Sequence, residues 1–273
     1  MGLAVLMHEK PFAGVNGSGK HNNWSLADSD GNNLLDPGDT PEENLQFLVF
    51  LVAILKSVHK YGDLLRMTIA SAGNDHRLGA NEAPPAIISV FLGERLDTIL
   101  NDIKEGKVTK AADQDIIDLG LSSLPSIMRD NTDRNRTSPF AFTGQKFEFR
   151  AIGSSASVSL ANTVLNAAVA ESIDILMDEI EKAEKGGAEL NEAVISVLKK
   201  YVIETEAIRF EGNNYSEEWA AEAEKRGLPN VKKTGYALDA MVAKKNAELL
   251  KSQGVFSQAE IESRHNTKLE QYI

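Results

Sequence analysis

The chain has 273 residues, with 29 Lys and Arg against 40 Asp and Glu (net charge −11), 42% hydrophobic residues and no Cys. This ordinary globular composition excludes a disordered or collagen-like chain, and the acidic balance excludes a binder of the nucleic-acid backbone. Without Cys there is no disulfide framework, thiolate metal site or thiol nucleophile, and a prior of roughly 150 residues per domain allows one or two domains.

Residues 2–7 form a continuous apolar run, the pattern of a strand buried on both faces. They lack the basic flank and cleavage site of a signal peptide. The longest apolar run, 47–55, falls short of the about 20 residues that span a bilayer, so the expectation is a cytoplasmic protein with no membrane or nucleic-acid partner. A polar stretch rich in Gly, Asn and Asp follows to about residue 40. Thr40-Pro41-Glu42-Glu43 then reads as a helix start, and the helix over 42–59 is apolar almost all round, hence buried. Asn81 could cap a second helix running to about residue 104, with Pro84 and Pro85 in its first turn. Phe140, Phe142, Phe147 and Phe149 among polar neighbours predict short strands over 135–153.

From residue 157 onward the pattern is helical. One helix runs to the Gly186-Gly187 break, and others cover 188–206, 216–226 and 234–254. The last opens at Ser257, where Glu260 completes a capping box. A chain that opens in a strand and stops in a helix reads as a piece of something larger, truncated at both ends. The fold expectation is α+β: antiparallel sheet strands within 1–156, then a mostly helical region over 157–273. One sheet edge should be open and prone to association.

Gly14-Val15-Asn16-Gly17-Ser18-Gly19-Lys20 nearly spells a phosphate-binding loop. That motif needs Ser or Thr next and then a helix. Here His21-Asn22-Asn23-Trp24-Ser25 follows, so the reading fails. Asp28-Ser29-Asp30-Gly31 lacks the spacing of a calcium loop and reads as a surface turn.

The remaining candidates are scattered. The glycines at 14, 17 and 19 let backbone approach a ligand closely, and His21 could ligate a metal, though alone it reads first as a loop or core histidine. Lys146-Phe147-Glu148-Phe149-Arg150 alternates at strand period, which puts the three charges on one face and both rings on the other. A half-exposed strand with cross-strand ion pairs is the plain reading; a carboxylate for metal flanked by cations for phosphate is the functional one. Arg77 and Glu82 stand near a presumptive helix start, where Glu82 alone would be a dipole partner.

These segments, taken in order, carry a resemblance. The stretch from Lys10 to Ser25, then Arg77-Leu78 with Asn81-Glu82-Ala83-Pro84, then Arg134-Asn135-Arg136, then Phe147-Glu148-Phe149-Arg150 resemble successive motifs of the glutamine synthetases. The long third motif, 133–144, and the helical tail resemble class III of that family in particular.

The resemblance implies ATP-dependent ligation of ammonia to L-glutamate through γ-glutamyl phosphate, in a homo-oligomeric ring using Mg²⁺ or Mn²⁺. By motif, His21 and Glu148 would ligate the metal nearest the ATP phosphates. Arg136 would stabilise the transferring phosphoryl group, beside Lys146, which stands where many relatives have Arg. Arg77 and Arg150 would hold the glutamate carboxylate, and Asn16 and Gly17 its amino end. Glu82 would be the flap glutamate that helps deprotonate ammonium, and Ser25 would lie near the nucleotide. The family's other metal-ligand glutamates lie upstream of the first motif, so the chain by itself is expected to be weak or inactive. The alternative is a non-catalytic relative that binds nucleotide or glutamate, or associates with full-length subunits.

Overall fold

A computed structural model describes Gly2, Leu6 and residues 8–81, 83–107 and 138–273. The apolar run over 2–7 therefore lies largely outside the described residues, as do Glu82, Arg134, Asn135 and Arg136. The described chain is mixed α and β. A small sheet is built from β1 (Gly19–Trp24), β2 (Val90–Phe91), β3 (Phe140–Phe142) and β4 (Phe147–Gly153) in the order β1-β4-β3-β2. The β1–β4 and β4–β3 pairs are antiparallel, as expected. The β2–β3 pair is parallel, so the sheet is mixed, and β1 occupies one of its edges.

The sheet has one apolar face because β4 alternates. Phe147 and Phe149 are buried, and their rings meet Phe140 and Phe142. The Phe140 and Phe147 rings stack at 4.9 Å, and Phe142 meets Phe147 edge-on at 5.2 Å. Helix α1 (Leu45–Thr68) continues this core through Phe47, whose ring lies 5.9 Å from that of Phe142. Its residues Leu48, Leu51, Val52, Ile54 and Leu55 are fully buried, as the all-round apolar pattern predicts.

The helix boundaries differ from the sequence reading for a local reason. The Asn44 side chain accepts the Phe47 amide at 3.0 Å and is the N-cap, while Thr40 and Pro41 accept turn hydrogen bonds ahead of it. At the far end α1 continues past His59 through a kink at Tyr61, because buried Leu64, Leu65 and Met67 pack into the same core.

Helix α2 (Ala72–Arg77) is short and capped by Ser71. The helix expected from Asn81 is a correction: residues 83–89 lead into β2 without forming a helix, and α3 (Glu94–Glu105) starts only after Gly93. Gly93 sits at φ +87°, and the Glu211 carboxylate accepts the amides of Leu92 and Gly93. The two prolines belong to that irregular segment, where no ladder or helix bond needs the N–H they lack.

The C-terminal half follows its caps and glycines. Helices α4 (Ser159–Lys185), α5 (Leu190–Glu204), α6 (Glu217–Lys225) and α9 (Gln258–Tyr272) lie close to their expected places, with Ser216 and Ser257 as N-caps. By length and composition α4 could cross a membrane, yet its face bearing Val164, Leu165, Ala168 and Leu176 is buried in the protein core, and α4 packs against α1. There the Ser57 and Ser172 hydroxyls meet at 2.9 Å. The helix expected over 234–254 is broken into α7 (Thr234–Leu238), a 3₁₀ turn (Asp239–Met241) and α8 (Lys244–Ser252). Buried Asn246 accounts for the break by donating to the Ala240 carbonyl at 2.7 Å and to Asp63 at 3.1 Å.

Candidate active site

Glycine-rich loop, edge strand and β4 meet on the face of the sheet opposite the phenylalanines. The register pairs Asn23 with Glu148 and Trp24 with Phe147, so alternation places His21, Asn23 and Glu148 on one face. The other face carries Trp24, whose indole donates to Asn166 on α4 at 2.8 Å. A bulge opposite His21 lets one residue of β1 face Arg150 and Ala151 together.

His21 Nδ1 lies 3.2 Å from Glu148 Oε2, with the imidazole more than half exposed and the carboxylate largely buried. On Glu148, Arg150 Nε donates to Oε2 at 3.1 Å, the Thr143 hydroxyl to Oε1 at 3.2 Å, and Lys146 Nζ stands 3.9 Å from Oε1. Burial alone would raise the Glu148 carboxyl's pKa. The Arg150 guanidinium, the Thr143 hydroxyl and His21 outweigh it and hold the group below its ordinary value. A carboxylate beside an imidazole is a donor pair suited to a divalent cation, and the flanking cations suit an anionic ligand.

Two donors are too few for Mg²⁺ or Mn²⁺, which take about six ligands, mostly oxygen. Among the described residues no group of three or more His, Asp or Glu could hold a metal ion. The donor chemistry fits; the donor number is incomplete.

Arg77 is brought to the same strand from behind. It is buried and donates to the carbonyls of Ile152 and Arg150 at 3.2 and 3.0 Å, and to Asn74 Oδ1 at 3.2 Å. Its guanidinium packs on Gly19, where any side chain would collide with it. Arg77 thus acts on the Arg150 backbone in this arrangement. Asn16 and Gly17 lie on the loop just ahead of β1, where a Cβ on Gly17 would come within 2.6 Å of the Glu9 carbonyl. Asn81 ties that loop to the segment after α2 by donating to the Gly14 carbonyl at 2.8 Å. Ser25 lies just beyond the opposite end of β1, its hydroxyl donating to Asn33 Oδ1 at 2.6 Å, close to the Gln145 carbonyl.

Gly19, Lys20 and His21 are strand rather than loop-to-helix, as the failed phosphate-loop reading requires. Asp28 is spent on the amides of Asp30 and Asn32, the surface turn expected. Glu82 and Arg136, both assigned catalytic roles by resemblance, lie outside the described residues.

Two residues escaped the sequence reading. Asn74 is fully buried and donates to the carbonyls of Ile69 and Ala151 at 2.8 and 2.9 Å, joining α2 to β4. Glu9 is buried against the turn after β4, where the Ser155 amide donates to Oε1 at 3.1 Å and the Ser155 hydroxyl also donates. The only signal for either was proximity in sequence to a motif.

Comparison with known proteins adds similarities. Residues 193–273 match the family model described as the glutamine synthetase C-terminal domain. The type-3 glutamine synthetase of Dictyostelium discoideum is 48% identical over 99% of this chain and 37% of its own length. The glutamine synthetase of Bacteroides fragilis (strain YCH46) gives the same identity and coverage, and that of Butyrivibrio fibrisolvens is 44% identical over 98% of this chain and 38% of its own length. The chain spans little more than a third of the length of these relatives.

Proposed function

We propose that the chain, similar to a type-3 glutamine synthetase along nearly its whole length, carries part of a glutamate–ammonia ligase site. The observation that supports this most directly is the His21–Glu148 pair, 3.2 Å apart and flanked by Lys146 and Arg150. A γ-carboxylate oxygen of L-glutamate attacks the γ-phosphorus of ATP and expels ADP. Ammonia nitrogen then attacks the acyl phosphate carbon, inorganic phosphate leaves, and a base takes the extra proton. Two anions must meet in the first step, which is why cations crowd the site.

His21 and Glu148 would supply two of the ligands for Mg²⁺ or Mn²⁺, which neutralises phosphate charge when bound. Lys146 keeps a positive charge at the phosphates without the planar fork of Arg. Arg150 holds the glutamate carboxylate, and Arg77 fixes Arg150 by its backbone. Asn16 and Gly17 receive the amino end, and Ser25 borders the nucleotide. Arg136 and Glu82 act on the phosphoryl group and on ammonium. The remaining metal ligands come from outside the described residues, in a ring of subunits, so the 273-residue chain alone turns over little or not at all.

A chimera in which this chain replaces the matching segment of the Bacteroides fragilis enzyme tests the reading. Glutamine formation is expected, and its loss in His21→Ala and Glu148→Gln. A folded chimera that binds ATP–Mn²⁺ without making glutamine would favour the second reading, a non-catalytic relative that binds nucleotide or glutamate or joins full-length subunits. The incomplete donor set is what keeps that reading in play.

A further inference from the structure

Glu9 is a charged group with 3% exposure, on no element of regular structure, at the head of the glycine-rich loop. Burying a carboxylate is costly unless its oxygens are engaged. Oε1 accepts the amide and hydroxyl of Ser155, and the carboxylate fills space that side chains at two other positions would need. A Cβ on Gly153 would lie 2.8 Å from Oε1, and one on Gly73 would collide with Oε2. The end of β4 and the start of α2 therefore both leave room for this one side chain.

The backbone of the same residue holds the loop. The Glu9 carbonyl accepts the Ser18 amide at 2.7 Å and closes residues 9–18 on themselves. Gly17 is confined between that carbonyl and the Arg77 side chain, where a Cβ would be 2.6 Å from one and 3.2 Å from the other. Gly19 lies on the Arg77 guanidinium. The loop that precedes His21 is thus held from two sides, by the Glu9 carbonyl, whose side chain is fixed on the turn after β4 and the start of α2, and by the Arg77 side chain from α2.

We propose that Glu9 is a positioning residue, whose side chain anchors the 16–19 loop against β4 and α2 and so sets the loop's backbone for the amino end of the substrate. The kinetic consequence rests on the functional reading above; the structural one does not. The variants are Glu9→Ala, Glu9→Gln, which keeps an acceptor for Ser155 without the charge, and Ser155→Ala, which removes one donor without touching the loop.

In the 273-residue chain, Glu9→Ala is expected to speed amide hydrogen exchange at Ser18 and Gly19 by about tenfold or more, with α4 unchanged. Ser155→Ala should do the same more weakly, and Glu9→Gln should retain most of the protection. Unchanged exchange in the loop, or equal acceleration in loop and α4, overturns the proposal. In the chimera, Glu9→Ala should raise KM for glutamate by about tenfold while kcat stays within about threefold, with recovery in Glu9→Gln. A fall in kcat with KM unchanged also overturns it. A wild-type chimera without ligase activity defeats the functional reading, and the exchange measurement still decides the anchor.

Discussion

His21 Nδ1 faces Glu148 Oε2 across the β1–β4 pair at 3.2 Å, joining the edge strand to the strand beside it at the point where the ladder bulges. The pair belongs to two segments far apart in sequence, and it exists only when β4 is paired in register.

On the proposed function, that relationship is expected to govern metal affinity. Each of His21→Ala and Glu148→Gln is expected to weaken Mn²⁺ binding by the chain about tenfold or more, while the double variant adds little, since one donor alone is a poor site. Titration of Mn²⁺ followed by electron paramagnetic resonance gives the answer. Additive losses in the double variant would mean that the two side chains do not share an ion.

Asn74→Ala should be among the most damaging polar substitutions. It strands the carbonyls of Ile69 and Ala151 and one Arg77 donor in a fully buried place. A loss of about 3 kcal/mol is expected, read from urea unfolding, with Asn74→Asp no better because it cannot donate to two carbonyls.

Phe147 joins core to candidate site, because its ring stacks on Phe140 while its neighbour on the strand is Glu148. Phe147→Ala should cost about 3–5 kcal/mol and abolish metal binding with it, whereas Phe147→Leu should keep most of both. Retained Mn²⁺ affinity in a folded Phe147→Ala chain would separate site from core and refute the link.

Acid sensitivity has a source away from the site. Burial lowers the His59 imidazole below its ordinary pKa of 6.5, with Lys56 and Lys245 adding to the effect and Glu204 opposing it. The folded chain therefore prefers the neutral ring. This contribution to stability is present above 6.5 and is lost as pH falls through the lower, folded value. The urea midpoint should drop between about pH 7 and about pH 5 more in the wild type than in His59→Gln. Parallel curves for the two proteins would remove His59 from the account.

Much of this was legible in the chain. Period-two alternation over 146–150 separated Phe147 and Phe149 from Glu148 and Arg150, and the structure keeps that division. Ser216, Ser257 and Gly186-Gly187 marked helix ends because caps and glycines act locally. The failures were tertiary. The helix expected at Asn81 gave way to a strand that pairs with β3, and Asn44 took the cap from Thr40 through a bond to Phe47. Glu9 was invisible because the space it fills is left by Gly73 and Gly153, and nothing in its own neighbourhood reports them.

The alternation of β4 has one more implication, for how such a site can change over time. Core and charge occupy successive residues of a single backbone, so inserting or deleting one residue there would send Glu148 inward and Phe149 outward together. The bulge at Arg150 and Ala151 already takes up the one extra residue that the ladder accommodates. Drift in this segment is thereby confined to substitution at fixed length. New ligand preferences have to arise by exchanging side chains at Lys146, Glu148 and Arg150, while loop lengths elsewhere are free to vary.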